Sequence, residues 1–167
     1  PIRWVDPKKL TTRKLCEGDI VIEVSGGSPT QPTGRSLLIT TEVLDRFDFP
    51  LIPTSFCRLM RPKDDKYAVF LHQHLSNLYK NGGTWEYQNQ STGIANFQTT
   101  YFLSNEDVIV PSDQILAAFN SLLLPILKKA NNNENIVLAE LRDTLLPKLM
   151  SGEIRVKDAE REVEAAV

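Results

Sequence analysis

Apolar positions follow two rhythms along this chain. Up to Pro62 they come in short β-branched or alternating runs bounded by Gly and Pro, and beyond Ser112 they recur at spacings of three and four. Ile20-Val21-Ile22 and Val24, launched by Gly18-Asp19 and stopped by Gly26-Gly27, predict a strand. Leu37-Leu38-Ile39-Thr40-Thr41 predicts a second, and Phe56 to Pro62 alternates as a third. Thr11 to Leu15 has room for one helical turn. Val69, Phe70, Leu71, Leu75 and Leu78 mark an amphipathic helix over Tyr67–Tyr79, with Asn81-Gly82-Gly83 as its stop. Val108-Ile109-Val110 before Pro111 predicts a short closing strand.

The second rhythm predicts helices. Ser112 is a candidate N-cap with Asp113 in the first turn, and Ile115, Leu116, Phe119, Leu122 and Leu123 share one face. Pro125 suits a first turn better than a helix interior, so a break or kink is expected near Leu124. A second helix then runs from Pro125 to Met150, roughly 39 Å if continuous at ~1.5 Å per residue. Asn131-Asn132-Asn133 weakens its middle, and Pro147 is expected to bend or end its last turns. Leu138, Leu141, Leu145 and Leu149 form one apolar stripe with Glu140, Arg142 and Asp143 on the wet side, and Gly152 is the expected C-cap. A frayed helix or disordered tail is expected over 156–167.

These elements predict an α+β fold: a mixed or antiparallel sheet domain over 1–111, then a long coiled-coil-like helical region over 112–155. The length of 167 residues suits one compact domain with a helical appendage. Hydrophobic residues at 41% and charged residues at 24% exclude a disordered chain. No apolar run approaches the ~20 residues of a membrane span, and no basic-then-apolar leader is present, so a cytoplasmic protein without membrane contact is expected. Pro1 in place of Met is expected of a trimmed chain or one that starts inside a longer reading frame. Cys16 and Cys57 lack zinc-like spacing and are expected to be reduced thiols.

Charge changes the picture in one respect. Residues 1–110 hold 12 Lys and Arg against 12 Asp and Glu, and 111–167 hold 7 against 9. Non-specific affinity for nucleic acid comes mainly from cations that neutralise phosphates, so a chain this balanced argues against holding DNA alone, and any grip on DNA would come in large part from a partner.

Candidate chemistry is confined to binding. Gly26 to Arg35 is a loop without a Gly-Lys-Ser/Thr ending or a following helix, which argues against a P-loop. Its Ser, Thr, Gln and Arg side chains offer donors and acceptors that reach a groove edge. Trp85 to Phe102 mixes amides and hydroxyls with aromatic rings, the composition of a base-reading surface and equally of a glycan-binding or plain edge loop. His72 and His74 are two apart on a helix and cannot share a metal in the i, i+4 manner. No catalytic constellation, metal set or cofactor motif stands out.

Leu141-Arg142-Asp143-Thr144-Leu145-Leu146-Pro147-Lys148-Leu149-Met150-Ser151-Gly152-Glu153-Ile154 resembles the conserved spacer helix of specificity subunits from type I restriction-modification systems. Gly18 to Thr30 with Gly34-Arg35, Phe56-Cys57-Arg58 with Arg61-Pro62, and Ser91 to Phe97 are similar to blocks of target recognition domains in that family. The resemblance implies a non-catalytic subunit that reads one half of a split DNA site, with the spacer setting the distance to the other half. It implies methyltransferase subunits and a restriction (motor-nuclease) subunit as partners, and no cofactor. A full subunit carries two recognition domains and two spacers, so this sequence is expected to be a half-length subunit or a fragment. A half-length chain is expected to self-associate as an antiparallel homodimer through Leu138, Leu141, Leu145 and Leu149, and burial of that stripe on the chain's own domain is the competing expectation. The expected DNA-binding residues are Gly26, Gly27, Gln31 and Arg35 in one loop and Thr92, Gly93, Ile94 and Asn96 in another. A structural turn that pins the sheet is the competing reading of Thr92-Gly93-Ile94. For the whole chain, the competing reading is a helical adaptor whose sheet domain binds protein or peptide.

Overall fold

A computed structural model of the chain describes residues 2–28, 30–91, 94–132 and 134–166, the side chains of 90–91, 134–137 and 165–166 excepted. It separates into two compact units, residues 1–129 and 130–167. The fold is α+β, with two small antiparallel sheets in the first unit and helices at the C-terminal end.

The first sheet has the order β3-β1-β4, from Ser36–Leu38 (β3), Ile20–Glu23 (β1) and Cys57–Met60 (β4). Its central strand is the uninterrupted apolar run, because both of its faces are covered. Ile20 and Ile22 join Leu38, Val69, Leu75, Phe97 and Phe102 in the main core, while Val21 and Leu59 pack on the opposite side against Leu15, Ile39 and Val43. Asp19 anchors the start of β1. Its buried carboxylate accepts 2.7 Å bonds from Arg61 Nε and Nη2 and from the Cys16 N–H. Arg61 also donates to the Lys14 carbonyl at 3.1 Å, tying both flanks of the strand together.

Helix α1 covers Pro7–Arg13, with Asp6 capping it through the Lys8 N–H at 2.8 Å, longer than the single turn expected at Thr11–Leu15. Helix α2, Thr41–Leu44, takes the last residue of the second expected strand. Helix α3, Ala68–Lys80, matches its expected span and ends at Gly82 in the left-handed conformation, φ 76°. His72 on α3 is buried and His74 is partly covered, as core-edge histidines.

The polar-aromatic stretch folds as a 3-10 turn, Gly83–Tyr87, then β5 (Gln88–Ser91), β6 (Ile94–Phe97) and α4 (Thr99–Asn105). The closing strand expected at Val108–Val110 does not form. Ile109 and Val110 are exposed and have no strand beside them, and β-propensity without a neighbour to pair with builds no sheet.

Helix α5, Asp113–Ala130, runs through Pro125, correcting the expected break near Leu124. Phe119, Leu123, Leu124 and Leu127 pack on the main core and hold the helix on both sides of the proline. The carbonyl that the missing N–H leaves without its helical partner belongs to Ser121, which is exposed. The interruption falls instead at Asn131-Asn132.

In the second unit, α6 spans Glu134–Ser151, also through an exposed proline, Pro147. Gly152 at φ 76° ends it as expected, with the Glu153 N–H returning 2.9 Å to the Lys148 carbonyl. The segment expected to be frayed or disordered is helix α7, Val156–Ala166. Val156, Ala159 and Val163 give it an apolar stripe, and α7 packs on α6.

Candidate nucleic-acid interface

The described parts of the two loops singled out in the sequence meet at Gly26, Ala95 and Asn96. After β1 the chain passes Val24 and immediately forms β2, Ser25–Gly26, which leaves the first sheet for a second one of order β2-β6-β5. Ser25 pairs with Asn96 and Gly26 with Ala95. Val24 marks the crossing. Its N–H and that of Ser25 both donate to the Phe56 carbonyl, at 2.8 and 3.2 Å, while its own carbonyl accepts from the Phe97 N–H at 2.9 Å.

The second sheet has one dry face and one wet face. Ala95 and Phe97 point inward, and Ile94 and Asn96 point to solvent. Behind the sheet, Phe97 packs on Phe102 with ring centroids 5.2 Å apart, and Tyr87 meets Phe102 edge-on at 5.0 Å. The Tyr87 hydroxyl donates to Glu106 Oε2 at 2.6 Å, and that bond, with burial, pushes the phenol up to about 12. His74 Nε2 lies 2.7 Å from the other Glu106 oxygen, so α3, α4 and the 3-10 turn are locked together under the strands.

On the wet face, directly paired residues share a side. Ser25, Asn96 and Asn89 therefore form a cross-strand row, with Asn89 opposite Asn96. Asn89, Asn96 and Ile94 are all exposed, Ile94 at 54%. Two amides, a hydroxyl and a branched apolar side chain on a pleated surface are groups that address adenine edges and thymine methyls. The row carries no formal charge, so it selects without supplying electrostatic grip.

Thr92 and Gly93 lie outside the described residues. Gly26 and Gly27 serve the chain's own geometry. A Cβ on Gly26 (φ 150°) would sit 2.7 Å from Glu23 Oε1, and one on Gly27 (φ 75°) 2.9 Å from the Gln31 carbonyl. Gln31 is exposed, its backbone held in a bridge to Ser28 by N–H to O bonds of 2.8 and 3.2 Å. Thr33 pins the loop to the second sheet, its N–H and hydroxyl both donating to Gln88 Oε1 at 3.0 and 3.1 Å. Arg35 grips Glu23 with two bonds, Nε to Oε2 at 3.0 Å and Nη2 to Oε1 at 2.8 Å. The Glu23 hydrogen bond, then its charge, raises the guanidinium pKa. Arg35 is still 55% exposed, but an incoming phosphate has to share it with that carboxylate.

Asn89 and Ser25 were not among the expected contacts. The signal for Asn89 is the hairpin alternation of 88–91 against 94–97, while Ser25 belongs to the polar loop whose donors and acceptors suit a groove edge and only its place opposite Asn96 comes from the pairing. On α6, Leu145 is buried at 4%, Leu141 and Leu149 are half-buried, and Leu138 is exposed. Leu146 and Met150, beside that stripe, are exposed as well.

Comparison with known proteins gives the surface a context. The specificity subunit of the type I restriction enzyme MjaIX, from Methanocaldococcus jannaschii, is 43% identical over 58 residues, 34% of this chain. That of the type I restriction enzyme HindI, from Haemophilus influenzae, is 33% identical over 95 residues, 56% of this chain. The chain is similar to type I restriction specificity subunits. It spans only 13% of the first relative and 20% of the second. No family model matches the chain and no solved structure is significantly similar to it. Among the described residues no helix is long and apolar enough to cross a membrane, and no group of His, Cys, Asp or Glu is placed to hold a metal.

Proposed function

We propose that this chain is a non-catalytic, sequence-specific DNA-recognition subunit of a type I restriction-modification assembly. Residues 1–111 read one half of a split site through the wet face of the second sheet. The helical region 112–155 acts as spacer and as dock for methyltransferase and restriction subunits, which supply the chemistry and much of the cationic grip. The observation that carries the reading is the β2–β6 pairing, which gathers two distant recognition-like loops on one exposed amide surface in a chain similar to specificity subunits.

Titration against mixed-sequence duplexes over a salt series, with and without a type I methyltransferase subunit, tests it. Sequence-dependent binding is expected to emerge when the partner is added. Affinity that ignores both sequence and partner would contradict the proposal. Self-association as a half-length homodimer draws on Leu138, Leu141 and Leu149, and Leu141→Glu is expected to reduce the solution mass from dimer to monomer. Buried Leu145 is unsuitable for that test, since its replacement opens the helical pair itself.

A helical adaptor remains the competing reading because α5 exposes Ile115, Leu122 and Ile126. Under that reading the partner joins without altering any preference among duplexes.

A further inference from the structure

Beside the second sheet lies an open cleft of about 530 Å³, bordered by Arg58 on β4, by Phe97 and Gln98 as β6 ends, and by Thr100, Tyr101 and Ser104 of α4. It is close to the amide row along the chain, on the Phe97 side of β6. Gln98 follows Asn96 by two residues, and Arg58 follows by two the Phe56 carbonyl that receives the Val24 and Ser25 N–H groups. Its lining holds one cation and no carboxylate.

Arg58 differs from the other arginines near the sheets. Arg35 is chelated by Glu23 and Arg61 by Asp19, whereas among the described residues no carboxylate pairs with exposed Arg58. Its register partner is Ile22, and the acidic neighbour on that strand, Glu23, is already engaged. The rest of the lining is rich in hydroxyls. Ser104 Oγ donates inward to the Thr100 carbonyl at 3.0 Å, leaving its oxygen to accept, and the exposed Tyr101 hydroxyl has no partner among the described residues. An unpaired guanidinium and hydroxyls that line one carboxylate-free cleft match a phosphodiester: one negative charge with several acceptor oxygens.

We infer that Arg58, assisted by Tyr101, seats a backbone phosphate of the DNA duplex whose bases meet the Asn89–Asn96 row. This rests on the DNA-reading proposal and adds what that row lacks, a cationic anchor that sets its register along the groove. Arg58 is a binding residue without base preference.

The test measures affinity for a labelled mixed-sequence duplex over a salt series, for the full chain with and without a methyltransferase subunit. Each phosphate contact contributes about 0.9 to the slope of log K against log salt. Arg58→Ala is expected to flatten the slope by about that amount, Arg58→Lys to preserve it, and Asn96→Ala to leave it unchanged while reducing discrimination among duplexes. Thermal melting of each variant, expected to match the parent, separates lost contact from lost fold. An Arg58→Ala slope equal to that of a binding parent overturns the phosphate seat and leaves the base-reading face standing. A parent that binds no duplex, with or without the partner, removes both.

Discussion

The two sheets of the first unit are three-stranded and antiparallel, and one continuous stretch of chain, Ile20 to Gly26, contributes a strand to each. They differ in what lies on their faces. The first is apolar on both sides of β1 and buried in two cores; the second alternates, with Ala95 and Phe97 inward and Ile94 and Asn96 outward. A sheet whose central strand is covered on both faces mainly supports, and displays only at an edge strand such as β4 with Arg58. One covered on a single face presents a pleated polar surface held rigid by the layer behind it, which is what a reading surface needs. Val24 joins the two roles, since the same residue bonds to the Phe56 carbonyl on one side and to the Phe97 N–H on the other.

If that division is right, equal truncations in the two sheets have unequal outcomes. The largest effect is expected in the first sheet, where Ile22 is fully buried. Ile22→Ala should lower unfolding free energy by about 2–5 kcal/mol in a denaturant titration. Arg61→Ala should approach the lower end of about 3–5 kcal/mol, because it strands the buried Asp19 carboxylate with only the Cys16 N–H from this network. On the wet face, Asn96→Ala and Asn89→Ala should change stability by less than about 0.5 kcal/mol. Each should nevertheless remove about 1–3 kcal/mol of discrimination between duplexes in competition binding. A large stability loss from either would mean that the second sheet is structural like the first.

A smaller effect belongs to the helix behind both sheets. Burial pushes the His72 imidazole below its usual value of 6.5, against a smaller opposing contribution from the Ser36 backbone. The unfolded chain therefore takes up its proton at a higher pH than the folded one. Stability should be full above pH 6.5 and should fall as acidification proceeds through the folded-state pKa. His72→Gln should flatten that limb of the stability profile. The smallest effect is expected at Arg35, whose pair with Glu23 is half solvated. Arg35→Ala should cost no more than about 1 kcal/mol.

How far these features were legible in advance follows the same division. Ile20-Val21-Ile22 between glycines reads as a covered strand because continuous β-branched runs occur where both faces are buried. Helix α3 was legible from Val69, Leu75 and Leu78 at helical spacing. Ser25–Gly26 was not, since a strand of two residues has no period, and the residue opposite Asn96 is fixed by tertiary pairing. Thr99–Asn105 hid for a related reason. Its β-branched and aromatic residues favour strands, and one buried turn, Thr99 to Phe102, decides for helix. Pro125 misled because local geometry penalises it, while Phe119, Leu123, Leu124 and Leu127 keep α5 unbroken through tertiary packing.

Selection from a random duplex library tests the central claim most directly, with the chain joined to a type I methyltransferase subunit and Asn89→Ala, Asn96→Ala and the parent run in parallel. The account predicts that the parent enriches a defined half-site and that each variant loses preference at particular positions within it while still folding. Enrichment of the same motif by all three proteins would contradict it.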